Sequence, residues 1–178
     1  MKLQSIKPKF ELKYVTLTDA KGYFECHQNK EAKKNFIGFP RNIAEAKKEL
    51  NKNIKEMRKE KNSLEMFSII VDGKFAGFAV IHSLNKNPLQ EKGSIGVIGF
   101  GLHPKFRGKG IATKTLKLLT NYAFKKYKLK RITGRCRSFN KASIRVMKKA
   151  GYKLEGIHKK EIYKNGKYYN NMYWAIVK

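Results

Sequence analysis

Residues 101–113 read GLHPKFRGKGIAT, and this stretch decides the fold because it joins a glycine-rich strand pattern to an amphipathic helix. Unpaired N–H groups at a helix N-terminus, together with the helix dipole, favour an anion at that point. Gly108 and Gly110 remove the side chains that would hold a phosphate away from the backbone, while Arg107 and Lys109 add positive charge. The stretch therefore predicts an anion site, although it matches neither GxxxxGK[ST] nor GxGxxG. A basic turn with two convenient glycines is the alternative interpretation.

The pattern on both sides of this stretch predicts one domain of mixed α/β or α+β type. Alternating or β-rich runs predict strands over residues 10–17, 66–71, 74–81, 94–102, 131–136, 152–157, 161–163 and 168–177. Apolar residues at helical spacing predict helices over 18–28, 43–57, 112–125 and 140–150. Asp72-Gly73 and Asn165-Gly166 are typical of hairpin turns. Glycines at 96, 99 and 101 predict either a bulge or the close approach of another group.

Length and charge narrow the class of protein further. The chain has 178 residues, 41% of them hydrophobic, which suits a single domain over 1–178 with a real core. Its net charge is +28, and no Asp or Glu occurs between Lys92 and Lys153, so we expect an anionic ligand on the later half. Nucleic-acid or ribosome binding is one reading of this charge. A compositional bias toward Lys and Asn on a solvated surface is the other.

The sequence lacks the patterns of several classes of protein, namely membrane, exported, metal-binding and common nucleic-acid-binding proteins. No window is apolar enough for a membrane span, and the opening residues are too often charged for a signal-peptide core. Cys26 and Cys136 form neither a CxxC pair nor a disulfide framework, so we expect a cytoplasmic protein with no membrane contact and no metal. Helix-turn-helix, zinc-finger and RRM patterns are likewise absent from the sequence.

Two motifs resemble those of a known superfamily. Arg107, Gly110 and Ala112 match RxxGxA, which resembles the coenzyme A loop [QR]xxGx[GA] of the GNAT N-acetyltransferases. Asn140 and Ser143, followed by Gly151-Tyr152, resemble the pattern NxxSxxxxxxxG[FY] of the RimJ/RimL-type ribosomal-protein N-terminal acetyltransferases and the spermidine acetyltransferases. The resemblance is strong over residues 66–177 and weak before them.

The resemblance implies a fold and a co-substrate. The fold would be a mixed, mostly antiparallel sheet flanked by helices, with a bulged strand near residues 101–102 that splays from the next strand in a V. Residues 8–65 would shape the acceptor side, and residues 66–178 would form the sheet and the acetyl-CoA core. Backbone amides of residues 107–113 would hold the pyrophosphate, and the strand would pair with the pantetheine arm. The implied acetyl-CoA-binding residues are Gly101, Leu102, Arg107, Gly108, Lys109, Gly110, Ile111, Ala112, Thr113 and Asn140.

The resemblance also bears on catalysis. The superfamily commonly has a tyrosine acid seven residues after Asn140, where this chain has Met147, so Ser143 becomes the proposed catalytic residue. Asn140 as a helix N-cap and Ser143 as an ordinary first-turn residue form the structural alternative. Asn170 stands where the same branch usually has Asp. Dimers are common among such relatives, so a homodimer is a further expectation.

The chemistry of amines narrows the choice of acceptor substrate. A lysine ε-amine, with a pKa of about 10.4, is neutral in roughly one molecule in a thousand near pH 7, whereas an α-amine, with a pKa of about 7.7–8.0, is far more often neutral. A polyamine would need several carboxylates, which the later half does not offer. We therefore expect a protein N-terminus or a small amine of low charge, with a polyamine acceptor, a basic binding module and a CoA-binding fold without turnover as alternatives. The base is left open among Glu11, Glu155, Glu161 and the histidines, of which His103 is read as a structural turn residue.

Overall fold

The computed structural model describes residues 9–36, 38–84 and 95–178, which form seven strands and five helices. Residue 8, which begins the predicted acceptor side, and residue 94, which begins the strand predicted over 94–102, lie outside the described ranges. The elements in chain order are β1 (Phe10–Tyr14), α1 (Ala20–Gln28), α2 (Lys30–Asn35), α3 (Ile43–Met57), β2 (Leu64–Val71), β3 (Lys74–His82), β4 (Ile95–Leu102), α4 (Ile111–Tyr127), β5 (Arg131–Arg137), α5 (Lys141–Ala150), β6 (Lys153–Lys164) and β7 (Lys167–Val177).

All seven strands form one sheet in the order β1-β2-β3-β4-β5-β7-β6. The pair β4–β5 is parallel, and the other five neighbouring pairs are antiparallel. The parallel pair is connected by α4, as a parallel connection requires a crossover, whereas tight turns connect β2 to β3 and β6 to β7. The predicted mixed, mostly antiparallel sheet is thereby confirmed.

The sheet opens at its centre, between β4 and β5. β4 pairs with β3 as far as Leu102, but its pairing with β5 ends at Ile98 opposite Gly134. Residues 99–102 and 135–137 therefore leave backbone groups that face a gap instead of a neighbouring strand. This gap is the predicted V, and it begins where the chain leaves β4 for the loop that enters α4.

One detail of the strand prediction is corrected. The register between β3 and β4 runs from His82–Val97 to Gly77–Leu102 without a shift, so no bulge lies on that side of Gly101 and Leu102. The V arises because β5 diverges from β4. The glycines of β4 instead make room for neighbouring side chains, since a Cβ on Gly101 would lie 2.6 Å from the Phe78 ring.

Helices cover the two faces of the sheet. Alternate residues of β2 join different apolar clusters: Phe67 and Ile69 pack with Leu116 and Leu119 of α4, while Met66 packs with α1 and α3. The apolar residues of α4 at helical spacing are buried, and the polar residues of the opposite face are exposed: Ala112, Leu116, Leu119 and Ala123 on the first, Lys114, Lys117, Asn121 and Lys125 on the second. The faces of this helix follow directly from its 3.6-residue period.

The final hairpin differs from its predicted form. Residues 153–157 and 161–163 belong to one long strand, β6, whose register against β7 shifts between His158 and Ile162, and Tyr152 lies just before that strand. Lys160 has a φ of 52° at this irregularity, and the side-chain oxygen of Asn170 accepts the Lys160 N–H at 2.9 Å. The amide at position 170 thus provides the acceptor oxygen that the expected Asp would have provided. Within the described ranges no helix is both long and apolar enough to cross a bilayer.

Candidate active site

A cleft of about 310 Å³ lies at the open end of the V. It is bounded by the end of β4, the loop before α4, the first turns of α4 and α5, and residues of α1 and α2. Every residue that the sequence analysis assigned to acetyl-CoA, except Lys109, lines this cleft, and so does Ser143. Lys109 lies instead on a shallow depression beside His103 and Phe106.

The loop before α4 has the geometry of an anion cradle. Gly108 and Gly110 have φ values of 78° and 75°, a conformation that L-residues with a side chain adopt at a cost. No atom lies within 4 Å of a Cβ built on either glycine, so the requirement for glycine is one of backbone conformation rather than space. The Lys114 N–H bonds to the Gly110 carbonyl at 3.0 Å, which leaves the amides of residues 111–113 without an acceptor inside the helix.

Arg107 connects this loop to two other walls of the cleft. Its Nε donates to the Leu102 carbonyl at 3.1 Å, and its Nη1 donates to the Glu31 carboxylate at 2.6 Å. The sequence analysis predicted Arg107 as a source of charge. The structure adds that its guanidinium is already held by the end of β4 and by α2.

The first turn of α5 forms the facing wall. The Asn140 side chain accepts the Ser143 N–H at 3.1 Å, so the N-cap interpretation of Asn140 is correct. Burial raises the pKa of the Cys136 thiol on β5, and the nearby Ser143 acts on that pKa in the opposite direction. Ser143 therefore lies on the side of α5 that faces β5, at the border of the cleft.

Met147 is a core residue in this structure. It is 1% exposed and packs onto Gly134, at the point where the pairing of β4 and β5 ends. Gly134 leaves the space that the Met147 Cε occupies. The residue at this position thus supports the base of the V, and it provides no proton-transfer group.

Two of the carboxylates considered as bases are committed to surface ion pairs. Glu11 lies on β1, the edge strand, and bonds to Lys9 and Lys13 at 3.1 Å each, which holds the pKa of its carboxyl below the usual value. Glu155 pairs with Arg131, with one of the two hydrogen bonds measuring 2.8 Å. Neither arrangement favours a role in proton abstraction.

The remaining base candidates differ in their surroundings. Glu161 accepts a hydrogen bond from the Tyr173 hydroxyl and lies 3.1 Å from His158 Nδ1, and these bonds lower the pKa of its carboxyl. His103 Nδ1 accepts the Lys105 N–H at 3.4 Å, as expected for a structural turn residue. Burial lowers the pKa of His82, which is bonded to Ser83.

The part of the cleft that α1 and α2 provide was not predicted from the sequence. Glu31, Asn35 and Phe36 line the cleft, although α2 was not predicted at all. A local signal did exist, because Asn29 caps α2 by accepting the Ala32 N–H at 2.9 Å. Cys26 also lines the cleft, but burial raises the pKa of its thiol to about 12, so it stays protonated near neutral pH.

Two cations on α5 were also missed. Arg145 and Lys149 line the cleft one helical turn apart, on the side that faces the glycine loop. The available signal was their spacing of four residues from each other, on the helix that Asn140 caps. Together with Arg107 they place three cations around a cleft whose lining contains one carboxylate, that of Glu31. The cleft therefore favours a phosphate-bearing ligand.

The comparisons with known proteins give the family. Residues 9–153 match the model of the acetyltransferase (GNAT) domain, so the chain belongs to the GNAT family predicted from its sequence. It is 33% identical over 122 residues to a probable N-acetyltransferase, YjcK of Bacillus subtilis, and that alignment covers 67% of this chain and 65% of the relative. It is 38% identical over 80 residues to the uncharacterized N-acetyltransferase YnaD of the same organism, covering 45% of this chain and 47% of the relative. These alignments thus span about half to two thirds of the relatives' lengths.

Solved structures place the fold with the RimJ/RimL type. The structure of RimL, a ribosomal L7/L12 α-N-protein acetyltransferase in complex with coenzyme A, superimposes with a TM-score of 0.82 at 22% identity. The match covers 97% of this chain and 96% of the RimL chain. At this level of identity the likeness concerns the fold, in agreement with the sheet and the V described above.

Proposed function

We propose that this protein transfers the acetyl group of acetyl-CoA to an α-amine, most suitably the N-terminus of a protein or peptide. The observation that carries the proposal is the coincidence of the glycine loop, the V and the cation-lined cleft at one end of the sheet. Each of these features matches a different part of the co-substrate: the pyrophosphate, the pantetheine arm and the ribose phosphate.

The pyrophosphate is assigned to the start of α4. Amides of residues 108–113 and the helix dipole offer donors to its oxygens, and the two positive-φ glycines give those donors a common direction. Arg107 lies beside them, while Arg145 and Lys149 add charge from α5. The Glu31 carboxylate competes with the phosphate for Arg107, so binding exchanges one anion for another at that guanidinium.

The thioester is assigned to the V, near Gly101 and Leu102. Backbone N–H groups on the β5 side of β4 have no strand partner there, so they can donate to the thioester oxygen as it gains negative charge during attack by the amine. Acetyl-CoA supplies an activated acyl group with thiolate as the leaving group. Ser143 stands at the border of the cleft and is proposed to hand a proton to the departing sulfur.

The acceptor proposal follows from charge. An α-amine is neutral in roughly one molecule in ten near pH 7, far more often than a lysine ε-amine, so it needs less help from a base. This suits a site where Glu11, Glu155 and Glu161 are held in ion pairs or hydrogen bonds. A polyamine would bring several positive charges to a region already rich in Arg and Lys. The RimL structure, whose fold this chain shares, is that of a ribosomal-protein α-N-acetyltransferase.

Two measurements test this proposal. Isothermal titration with acetyl-CoA tests the co-substrate, and absence of binding would overturn the cleft assignment. Thiol release is then measured with α-amino peptides, peptides carrying only a lysine ε-amine, and spermidine. We expect the α-amino peptides to be consumed fastest, and a faster reaction with spermidine would favour the polyamine alternative. Binding without thiol release for any amine would indicate a fold that has lost turnover.

Cytoplasmic localisation, a homodimer and ribosome or nucleic-acid proximity stay predictions of the sequence. Gel filtration with light scattering measures the oligomeric state, and cosedimentation with ribosomes at increasing salt measures the electrostatic association. The +28 charge alone predicts an association that weakens steeply with salt.

A further inference from the structure

Three cations converge on the face of the sheet opposite α5, beyond the point where β4 and β5 part. Arg135 and Arg137 belong to the end of β5 that still pairs with β7 but no longer with β4, and Lys164 ends β6. Neither the family motifs nor the cleft description assigns these residues a role. We refer to Arg135, Arg137 and Lys164 as the far-face cluster.

Successive side chains along β5 point to opposite faces of the sheet, and this fixes the face on which the far-face cluster lies. Gly134 of β5 faces Met147 of α5, and Cys136 belongs to the same apolar cluster as Met147. Arg135 and Arg137 alternate with these residues along β5, so they point to the other face of the sheet. Arg137 Nη1 donates to the Asn171 side chain at 3.3 Å, and the Arg135 guanidinium lies 5.8 Å from the centre of the Tyr173 ring. The phosphates of acetyl-CoA, proposed to bind between α4 and α5, are therefore not the ligand of these arginines.

Arg137 is a half-buried cation with too few acceptors. Its guanidinium has five N–H donors, and no carboxylate of the described residues lies within 4.0 Å of it. Burial lowers its pKa, repulsion by Arg135 acts in the same direction, and the nearby Glu161 opposes both. Glu161 itself is occupied by the Tyr173 hydroxyl and His158. A half-buried guanidinium with so few acceptors favours an external anion.

Lys164 places the cluster next to the cleft. Its ammonium donates to the Phe36 carbonyl at 2.5 Å and also to the Lys33 carbonyl, and Phe36 lines the cleft. Burial lowers the pKa of Lys164, and the positive charge of Arg137 lowers it further, so these two cations interact. The far-face cluster thus lies across the V from the proposed acetyl-CoA side, where an acceptor amine would approach.

We propose that Arg137, assisted by Arg135 and Lys164, binds a side-chain carboxylate of the acceptor. The preferred acceptor is then a peptide whose α-amine is followed within its first few residues by Asp or Glu. This inference rests on the proposed function, since it names the substrate class of the same site. The guanidinium can take a carboxylate through two parallel N–H···O bonds, which fixes the acceptor's orientation as well as its charge.

The test is a matched peptide series. Hexapeptides with a free serine N-terminus carry Asp at position two, three or four, and each has a twin with Asn at the same position. We expect at least one Asp peptide to exceed its twin by about 10- to 100-fold in kcat/KM, the range that charge-assisted hydrogen bonds provide. In Arg137→Gln this ratio should fall to about one, with the Asn peptides changed by no more than about twofold.

Two variants complete the experiment. Arg131→Gln removes the same charge from the same strand at a position paired with Glu155, and it should keep the wild-type preference. Arg137→Lys should keep part of the preference because it retains the charge without the bidentate geometry. Equal rates for wild-type protein on Asp and Asn peptides, or a preference that survives in Arg137→Gln, would overturn the inference and leave the α-amine acetyltransferase standing. Absence of transfer to every peptide, with acetyl-CoA bound, would overturn both.

Discussion

Replacing Gly110 with alanine should damage the anion cradle through backbone strain alone. Gly110 has a φ of 75°, and no atom lies within 4 Å of the place its Cβ would take. The left-handed conformation costs an L-residue about 1–2 kcal/mol relative to glycine. The added methyl group meets no atom, so it neither clashes nor makes a stabilising contact. The backbone strain is therefore the whole free-energy cost of the substitution.

This cost can lower the stability of the fold or the affinity for acetyl-CoA. We predict the sum of the two losses in free energy. If the loop keeps its shape, the free energy of unfolding falls by about 1–2 kcal/mol, which lowers Tm by roughly 2–8 °C in a chain of this size. If the loop relaxes, its amides turn from the phosphate, and Kd for acetyl-CoA rises by about 5- to 30-fold. We expect most of the cost in binding, because few contacts hold the glycine in place.

The assay pairs thermal melting with isothermal titration for three variants. Gly156→Ala is the matched control, since a Cβ there also meets no atom within 4 Å but the residue lies outside the left-handed region. Gly110→Asn should lose less than Gly110→Ala, because Asn tolerates positive φ better than other non-glycine residues. An alanine variant that equals Gly156→Ala in both Tm and Kd would refute the reasoning.

Three further outcomes follow from the same contacts. Arg107→Glu should abolish acetyl-CoA binding measured by titration, whereas Glu31→Gln should tighten it several-fold by freeing the guanidinium; unchanged affinity in the first variant would mean that the loop is misassigned. Ser143→Ala should reduce kcat about 100-fold, within the range for general acids, with an unchanged Kd for acetyl-CoA, and an unchanged kcat would reduce Ser143 to a structural residue. Glu65→Gln should lower the free energy of unfolding by about 1.5–3 kcal/mol in urea titrations at pH 7, because its carboxylate is 2% exposed and bonds to Lys126 and Tyr122. Burial raises the pKa of Glu65, but the hydrogen bonds from Lys126 and Tyr122 outweigh it and the pKa is lowered. The stabilisation is therefore present above the unfolded pKa and is lost as pH falls through the folded one, and a mutant deficit that persists at pH 2 would contradict this.

Much of the local structure was predictable because its causes lie within a few residues. Asp72-Gly73 connects β2 to β3, as the sequence predicted, and Asn42 caps α3 by accepting the Glu45 N–H at 2.8 Å, three residues along the chain. The helix period fixed which side of α4 is buried. The α2 helix was missed because its six residues carry too little periodicity to predict, although its cap was visible.

The candidate site likewise has features that the sequence predicts and features that only the tertiary structure decides. The glycine loop and the N-cap of α5 are consecutive motifs, so the sequence alone determined an anion cradle, a strand before it and an α/β class of fold. The tertiary structure decided what lies opposite: the ion pair of Arg107 with Glu31, 76 residues apart, and the bond from Lys164 to Phe36, 128 residues apart. It also decided that Met147 fills the space above Gly134 and that β5 diverges after that residue. Caps, turns and helix faces depend on hydrogen bonds and periodicities between near neighbours in the chain, whereas these contacts depend on how whole elements pack, which no short stretch of residues encodes.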